Sequence, residues 1–224
     1  MGRFFIAVAV LLSLASTSCY YGAMQGAHTL GKNHITITGG AILPAYFSAE
    51  SKREAEDTRE DYLVAYPTAD FAIGATESID LGVSSFGFGV GPMVKYNIMP
   101  PQDPTALSAM LNMNYVIPMQ VMMPRLSLCA GHRFDRDLEI FAGTDLGYGP
   151  DLANIPEEED GSHDWDSVDN TFFSCIRIGC KYEIKPPGSP NAGRTYLPES
   201  ILFQFAIPLD ISRSMILAGL GVTY

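Results

Sequence analysis

The feature that most restricts the fold of this chain is the alternation of two residue classes along segments of about ten residues. The last segment shows it best, because Ile216, Ala218, Leu220, Val222 and Tyr224 occupy every second position. Successive side chains of a β-strand point to opposite sides of the sheet, so a period of two places these five residues on one face. The pattern predicts a strand that is apolar on at least one side.

The same alternation recurs along the rest of the chain. It predicts ten strands, at about 33–43, 62–73, 79–87, 90–98, 106–117, 122–134, 138–148, 171–184, 200–207 and 211–224. An even number of antiparallel strands brings the last strand beside the first, and pairing the two closes the sheet without a free edge. We therefore predict an all-β fold, a closed antiparallel barrel over residues 33–224, with eight or twelve strands as the alternatives.

The charged residues within these segments all fall on one face of the strands. They are Asp70, Asp80, Lys95, Arg125, Arg133, Glu139, Asp145, Arg177, Lys181, Glu183 and Arg213. A basic side chain facing lipid at the middle of a bilayer costs about 2–4 kcal/mol, so a membrane would enforce this segregation. A soluble β-sandwich would instead place the charges outside an unusually wide aliphatic core. We expect a transmembrane barrel with the charges in its lumen.

Two stretches carry a family resemblance. The final strand ends on an aromatic residue, Tyr224, and resembles the C-terminal signal of bacterial outer-membrane barrels, in which Phe is usual. The stretch Gln25–Lys32 resembles the lead-in of outer-membrane lipoproteins with small barrel domains. The resemblance implies the outer membrane of a diderm bacterium, contact with its lipid and lipopolysaccharide, and insertion by the barrel-assembly machinery through the last strand. It implies no enzyme family.

Residues 1–18 have the pattern of a secretory signal peptide. The apolar run Phe4–Leu14 is too short for a membrane helix, which needs about 20 residues, and small residues follow it. Cys19 then stands where a lipobox cysteine would, although Ser16 replaces the usual Leu. We predict a lead-in over 19–32 that begins with a lipidated Cys19. Cleavage by a peptidase that requires only small residues is the alternative.

The formal net charge of −11 argues against nucleic acid as a partner. Long polar connections at 44–61 and 149–170 contrast with tight turns at 74–78 and 135–137, as extracellular loops contrast with periplasmic turns. The connection 149–170 is strongly acidic, and carboxylates are ligands that divalent cations prefer. Its candidates for a cation site are Glu157, Glu158, Glu159 and Asp160. A solvated loop is the alternative, and we predict no cofactor.

The contents of the lumen determine the expected function. Six basic and five acidic inward residues nearly neutralise one another, and a ten-stranded barrel is only slightly wider than side chains can fill. We therefore predict a lumen plugged by paired charges and by Phe86, Phe88, Phe141 and Phe173. The protein would then have a structural or surface-interaction role through its acidic loops. A narrow small-solute channel and a lipid-handling barrel are the alternatives.

We predict no catalytic activity. His163, Asp164 and Asp166 resemble part of the catalytic set of omptin proteases, which are ten-stranded barrels. However, the His–Asp order is reversed, and no paired aspartates end another strand. Cys129 and Cys175 are expected on strands six and eight, about 9.6 Å apart, which is beyond the roughly 7 Å limit for a disulfide. We expect free thiols.

Overall fold

The structure is a computed structural model that describes residues 24–46, 49, 52–53, 66–86, 89–117, 119–134, 137–150, 168–184, 198–209 and 215–224. Cys19, the signal peptide, Arg213 and the acidic candidates Glu157–Asp160 lie outside the described residues. Ten strands are formed: β1 Ile35–Tyr46, β2 Tyr66–Gly74, β3 Ile79–Phe86, β4 Gly89–Asn97, β5 Thr105–Val116, β6 Val121–Phe134, β7 Leu138–Pro150, β8 Asn170–Glu183, β9 Ser200–Pro208 and β10 Met215–Thr223.

The ten strands close into one antiparallel barrel. Each strand pairs with its neighbours in the sequence, and β1 pairs with β10. At that closing seam the hydroxyl groups of Thr38 and Thr223 are 3.1 Å apart. Ile37 and Tyr224 exchange two main-chain hydrogen bonds of 2.9 Å. The prediction of a closed ten-stranded barrel is confirmed, and the alternatives of eight and twelve strands are wrong.

The alternation in the sequence becomes a separation between the inside and the outside of the barrel. In β9, Leu202 and Gln204 are buried inside, while Phe203 and Phe205 project from the outer wall. Large apolar residues on the outer wall reach exposures of 37% to 61%. Because β-branched and aromatic side chains pack well on a pleated surface, these residues favour the strands and also form a continuous apolar wall.

The start of β1 differs from the prediction. The alternation suggested residue 33 as its first residue, but the strand begins at Ile35. Gly31 and Asn33 have φ angles of +83° and +65°. This left-handed conformation reverses the chain, so residues 31–34 form a tight turn instead of strand. The turn lies at the lower end of the barrel, which we define as the end with the connections 75–78, 98–104 and 135–137. Among the described residues, no helix is long and apolar enough to cross a membrane.

A candidate functional site in the lumen

Residues 24–30, the luminal segment, lie inside the barrel. Met24 and Ala27 are only 2% and 0% exposed, although they precede the first strand. The segment runs from the middle of the lumen to the lower end, where the turn at Gly31 leads into β1. The sequence predicted a lead-in at these residues but did not predict that it lies inside the barrel.

Two charged side chains hold the main chain of the luminal segment. The ammonium group of Lys95 donates to the carbonyl oxygens of Gly26 and His28, at 2.9 and 2.5 Å. One carboxylate oxygen of Glu139 accepts from the amides of Ala27 and His28, at 2.6 and 3.2 Å. Hydrogen bonds to charged groups are roughly twice as strong as neutral ones, so this pair fixes the centre of the segment.

Further strands hold the two ends of the segment. Arg177 of β8 donates to the carbonyl oxygen of Gln25 at 2.8 Å. Asp80 of β3 accepts from the amide of Leu30 at 3.0 and 3.2 Å. The side-chain amide of Gln25 also approaches Asp70 of β2, at 3.5 Å. Side chains from five strands therefore converge on seven residues of the chain.

Small residues make this close approach feasible. A Cβ atom added to Gly26 would lie 2.8 Å from the carboxylate of Glu139. A Cβ atom added to Gly131, on the wall, would lie 2.7 Å from that of Ala27. A cavity beside the segment measures about 40 Å³, which is room for a few water molecules.

A second polar network lies at the middle of the barrel. Arg177 Nε is 3.5 Å from Asp145 Oδ2, and both side chains are essentially inaccessible to solvent. The Cys175 thiol donates to the same carboxylate at 3.6 Å. Arg125, on β6, donates to the side-chain oxygen of Asn112. These contacts link β5 to β6 and β7 to β8.

The predicted luminal charges divide into two groups. Buried members are Asp70, Asp80, Lys95, Arg125, Glu139, Asp145 and Arg177. Arg133, Lys181 and Glu183 are half-buried near the lower end, where Lys181 and Glu183 form an ion pair of 2.7 Å. The charges were expected to pair with one another inside the lumen, and Arg177 and Asp145, on the neighbouring strands β8 and β7, do. Lys95, Glu139 and Asp80 instead bind the main chain of the luminal segment.

The remaining predicted residues are placed as follows. Phe141 and Phe173 are buried inside the barrel, whereas the side chains of Phe86 and Phe88 lie outside the described residues. Within the part of the chain that the structure describes, Cys129, Cys175 and Cys180 are free thiols. In that same part, no group of three His, Cys, Asp or Glu side chains is arranged to hold a metal ion.

Exchanging Glu139 for glutamine is expected to loosen the segment. Glu139→Gln keeps the size of the side chain but replaces the charged acceptor of the Ala27 and His28 amides by a neutral one. Hydrogen exchange at these amides, measured by mass spectrometry on the full chain in micelles, should accelerate by roughly tenfold to one-hundredfold. The matched control is Glu183→Gln, which alters a carboxylate that pairs with Lys181. Equal acceleration by both variants would contradict the assignment.

Comparisons with known proteins were made on the sequence and on the fold. No profile of a known protein family matches the sequence, and neither does any curated protein. Three solved structures show a distant likeness in fold. The N-terminal β-barrel domain of Pseudomonas aeruginosa OprF is 15% identical, with a TM-score of 0.33, over 86% of this chain and 97% of that domain.

Two other solved structures also show only a distant likeness. The NanC porin is 10% identical, with a TM-score of 0.38, over 85% of this chain and 99% of the porin. The outer-membrane channel DcaP of Acinetobacter baumannii is 11% identical, with a TM-score of 0.24, over 89% of this chain and 99% of the channel. At these scores the likenesses carry no argument about function, which must come from the site itself.

Proposed function

We propose that this protein is an outer-membrane β-barrel whose lumen is closed by its own luminal segment, and that it has a structural or surface-interaction role. The observation that carries the proposal is the binding of residues 24–30 inside the barrel by Lys95, Glu139, Asp80 and Arg177. A segment bound across the lumen by charged side chains blocks solutes as long as it stays in place.

The outer wall supports the location in a membrane. Large apolar side chains on the wall include Ile37 of β1, Leu111 of β5 and Phe172 of β8, which are 53%, 50% and 54% exposed. A soluble protein rarely exposes a continuous apolar patch larger than a few hundred Å². A wall of this kind around a charged interior is the pattern of barrels that cross a bilayer. Single-chain barrels with an even number of strands are typical of the bacterial outer membrane.

The proposed surface role concerns the upper end of the barrel. The acidic connection 149–170 would present negative charge outside the cell, where divalent cations could bridge Glu157–Asp160 to lipopolysaccharide. Lipidation of Cys19 would add a second attachment to the membrane and stays a prediction. The competing functions are a small-solute channel and a lipid-handling barrel. A conductance measurement distinguishes the small-solute channel from the closed barrel.

The closed lumen predicts that the wild-type protein conducts almost no ions in planar bilayers. Ala27→Trp should open it, because a bulky side chain cannot fit beside Gly131, Glu139 and Phe141, so the segment must leave the lumen. The control is Thr29→Trp, since Thr29 is only half-buried and its hydroxyl binds the carbonyl of Glu77 at the lower end. Stable open-channel currents from the wild type, equal to those of Ala27→Trp, would refute the proposal.

A further inference from the structure

We propose that the lumen is a binding site for short peptides that bend at their centre, as the luminal segment does at Ala27 and His28, and that it recognises the main chain of its ligand instead of a particular sequence. In the structure the luminal segment occupies this site. A peptide from another molecule would enter after the segment has left the lumen. The inference rests on the proposed function, because it treats the segment as a ligand that can leave.

The contacts show which part of a peptide the site recognises. Lys95 binds two carbonyl oxygens, Glu139 two amides, Asp80 one amide and Arg177 one carbonyl oxygen, all of them main-chain atoms. Every peptide carries these groups, so the charged contacts do not depend on the side chains of the ligand. Side-chain contacts are fewer: the amide group of Gln25 approaches Asp70, and His28 Nδ1 lies 3.2 Å from Glu139.

The order of the charges fixes the direction of the peptide. Lys95 requires carbonyl oxygens at the positions of Gly26 and His28, and Glu139 requires amides at the positions of Ala27 and His28. A peptide that ran in the opposite direction would exchange donors and acceptors along its length. It would then place carbonyl oxygens against a carboxylate, which repels them.

The shape of the lumen adds one requirement on sequence. Ala27 packs against Gly131, where neither residue has room for a larger side chain, and Gly26 packs against Glu139. The two central positions of a ligand must therefore be small. The site fits a peptide of about seven residues that bends near its centre and has two adjacent small residues there.

The test uses the full-length Ala27→Trp protein in detergent micelles, so that its own segment is displaced. The probe is a fluorescent peptide with the sequence of residues 24–32, MQGAHTLGK, with both ends blocked. We expect saturable binding by fluorescence anisotropy. The wild type should bind at least tenfold more weakly, because its own segment competes at an effective concentration in the millimolar range. Adding Glu139→Gln to Ala27→Trp should weaken binding by about tenfold or more.

Four altered peptides distinguish the ways in which a peptide could bind. Replacing the amide of the central Ala by an ester removes a donor to Glu139 and should weaken binding about tenfold. The reversed sequence, and a peptide with Val-Val in place of Gly-Ala, should bind at least tenfold more weakly than the parent peptide. A peptide with Ser in place of His should bind within about threefold. Equal binding of all four would overturn main-chain recognition.

The outcomes also separate this inference from the proposed function. If Ala27→Trp conducts and the wild type does not, the lumen is closed by the segment, and failure of every peptide to bind overturns the inference alone. If both proteins conduct equally, the closed lumen is wrong. Residue 27 precedes β1, so the substitution Ala27→Trp should leave the barrel intact. Heat-modifiable migration of this variant on gels would show that it does.

Discussion

Arg177→Met is expected to lower the free energy of unfolding by about 3–5 kcal/mol, because it leaves the carboxylate of Asp145 buried without its ionic partner. Both side chains are inaccessible to solvent, and their closest charged atoms are 3.5 Å apart. Methionine keeps most of the side-chain volume, so the loss reports the charge and its hydrogen bond to Gln25, and not a cavity. The measurement is the urea midpoint of unfolding of the barrel in lipid vesicles, followed by tyrosine fluorescence or circular dichroism.

Two further variants give this prediction its controls. Lys181→Met breaks the ion pair with Glu183, but these side chains are 18% and 19% exposed at the lower end, so it should cost only about 0–1 kcal/mol. Adding Asp145→Asn to Arg177→Met removes the charge left behind and should recover a large part of the loss. If Arg177→Met cost no more than Lys181→Met, water would be screening the middle of the lumen, and the closed barrel would be wrong.

The barrel could be predicted from the sequence because its strands obey a simple local rule. Ile201, Phe203, Phe205 and Ile207 alternate with Leu202, Gln204 and Ala206, and a period of two specifies a strand wherever it occurs. An even number of such segments then makes closure of the sheet the natural solution. The start of β1 was misplaced by two residues, because alternation does not show where Gly31 and Asn33 adopt left-handed angles.

The luminal segment could not be predicted in the same way. Gly26 and Ala27 contribute small side chains and no periodicity, and the segment is bound through main-chain atoms that every residue carries. Pairing the charges of Lys95 and Glu139 by side-chain chemistry therefore led to ion pairs instead of peptide contacts. The signal that was available was the small residue Gly131 on the inner face of β6, which left room for another part of the chain.

The second prediction with a large effect on stability concerns the outer wall. Leu111→Arg should destabilise the barrel in lipid vesicles by about 2–4 kcal/mol, because the residue lies at the middle of β5 and projects from the wall, where it is 50% exposed. An arginine there must either lose its hydration in the hydrocarbon or draw water and headgroups into the bilayer. A loss of this size would show that the wall faces hydrocarbon, because an exposed arginine would be well solvated if the wall faced water.

The matched control for the outer wall is Ile35→Arg. Ile35 projects from the wall as Leu111 does and is 60% exposed, but it is the first residue of β1 and lies at the lower end of the barrel. Near the headgroups an arginine costs only about 0–1 kcal/mol, so the two substitutions should differ by at least about 2 kcal/mol in urea unfolding from vesicles. If both were nearly neutral, the wall would face water and the proposed place in a membrane would fail. A dependence of the cost on depth is expected only when hydrocarbon covers the middle of the wall and not its rim.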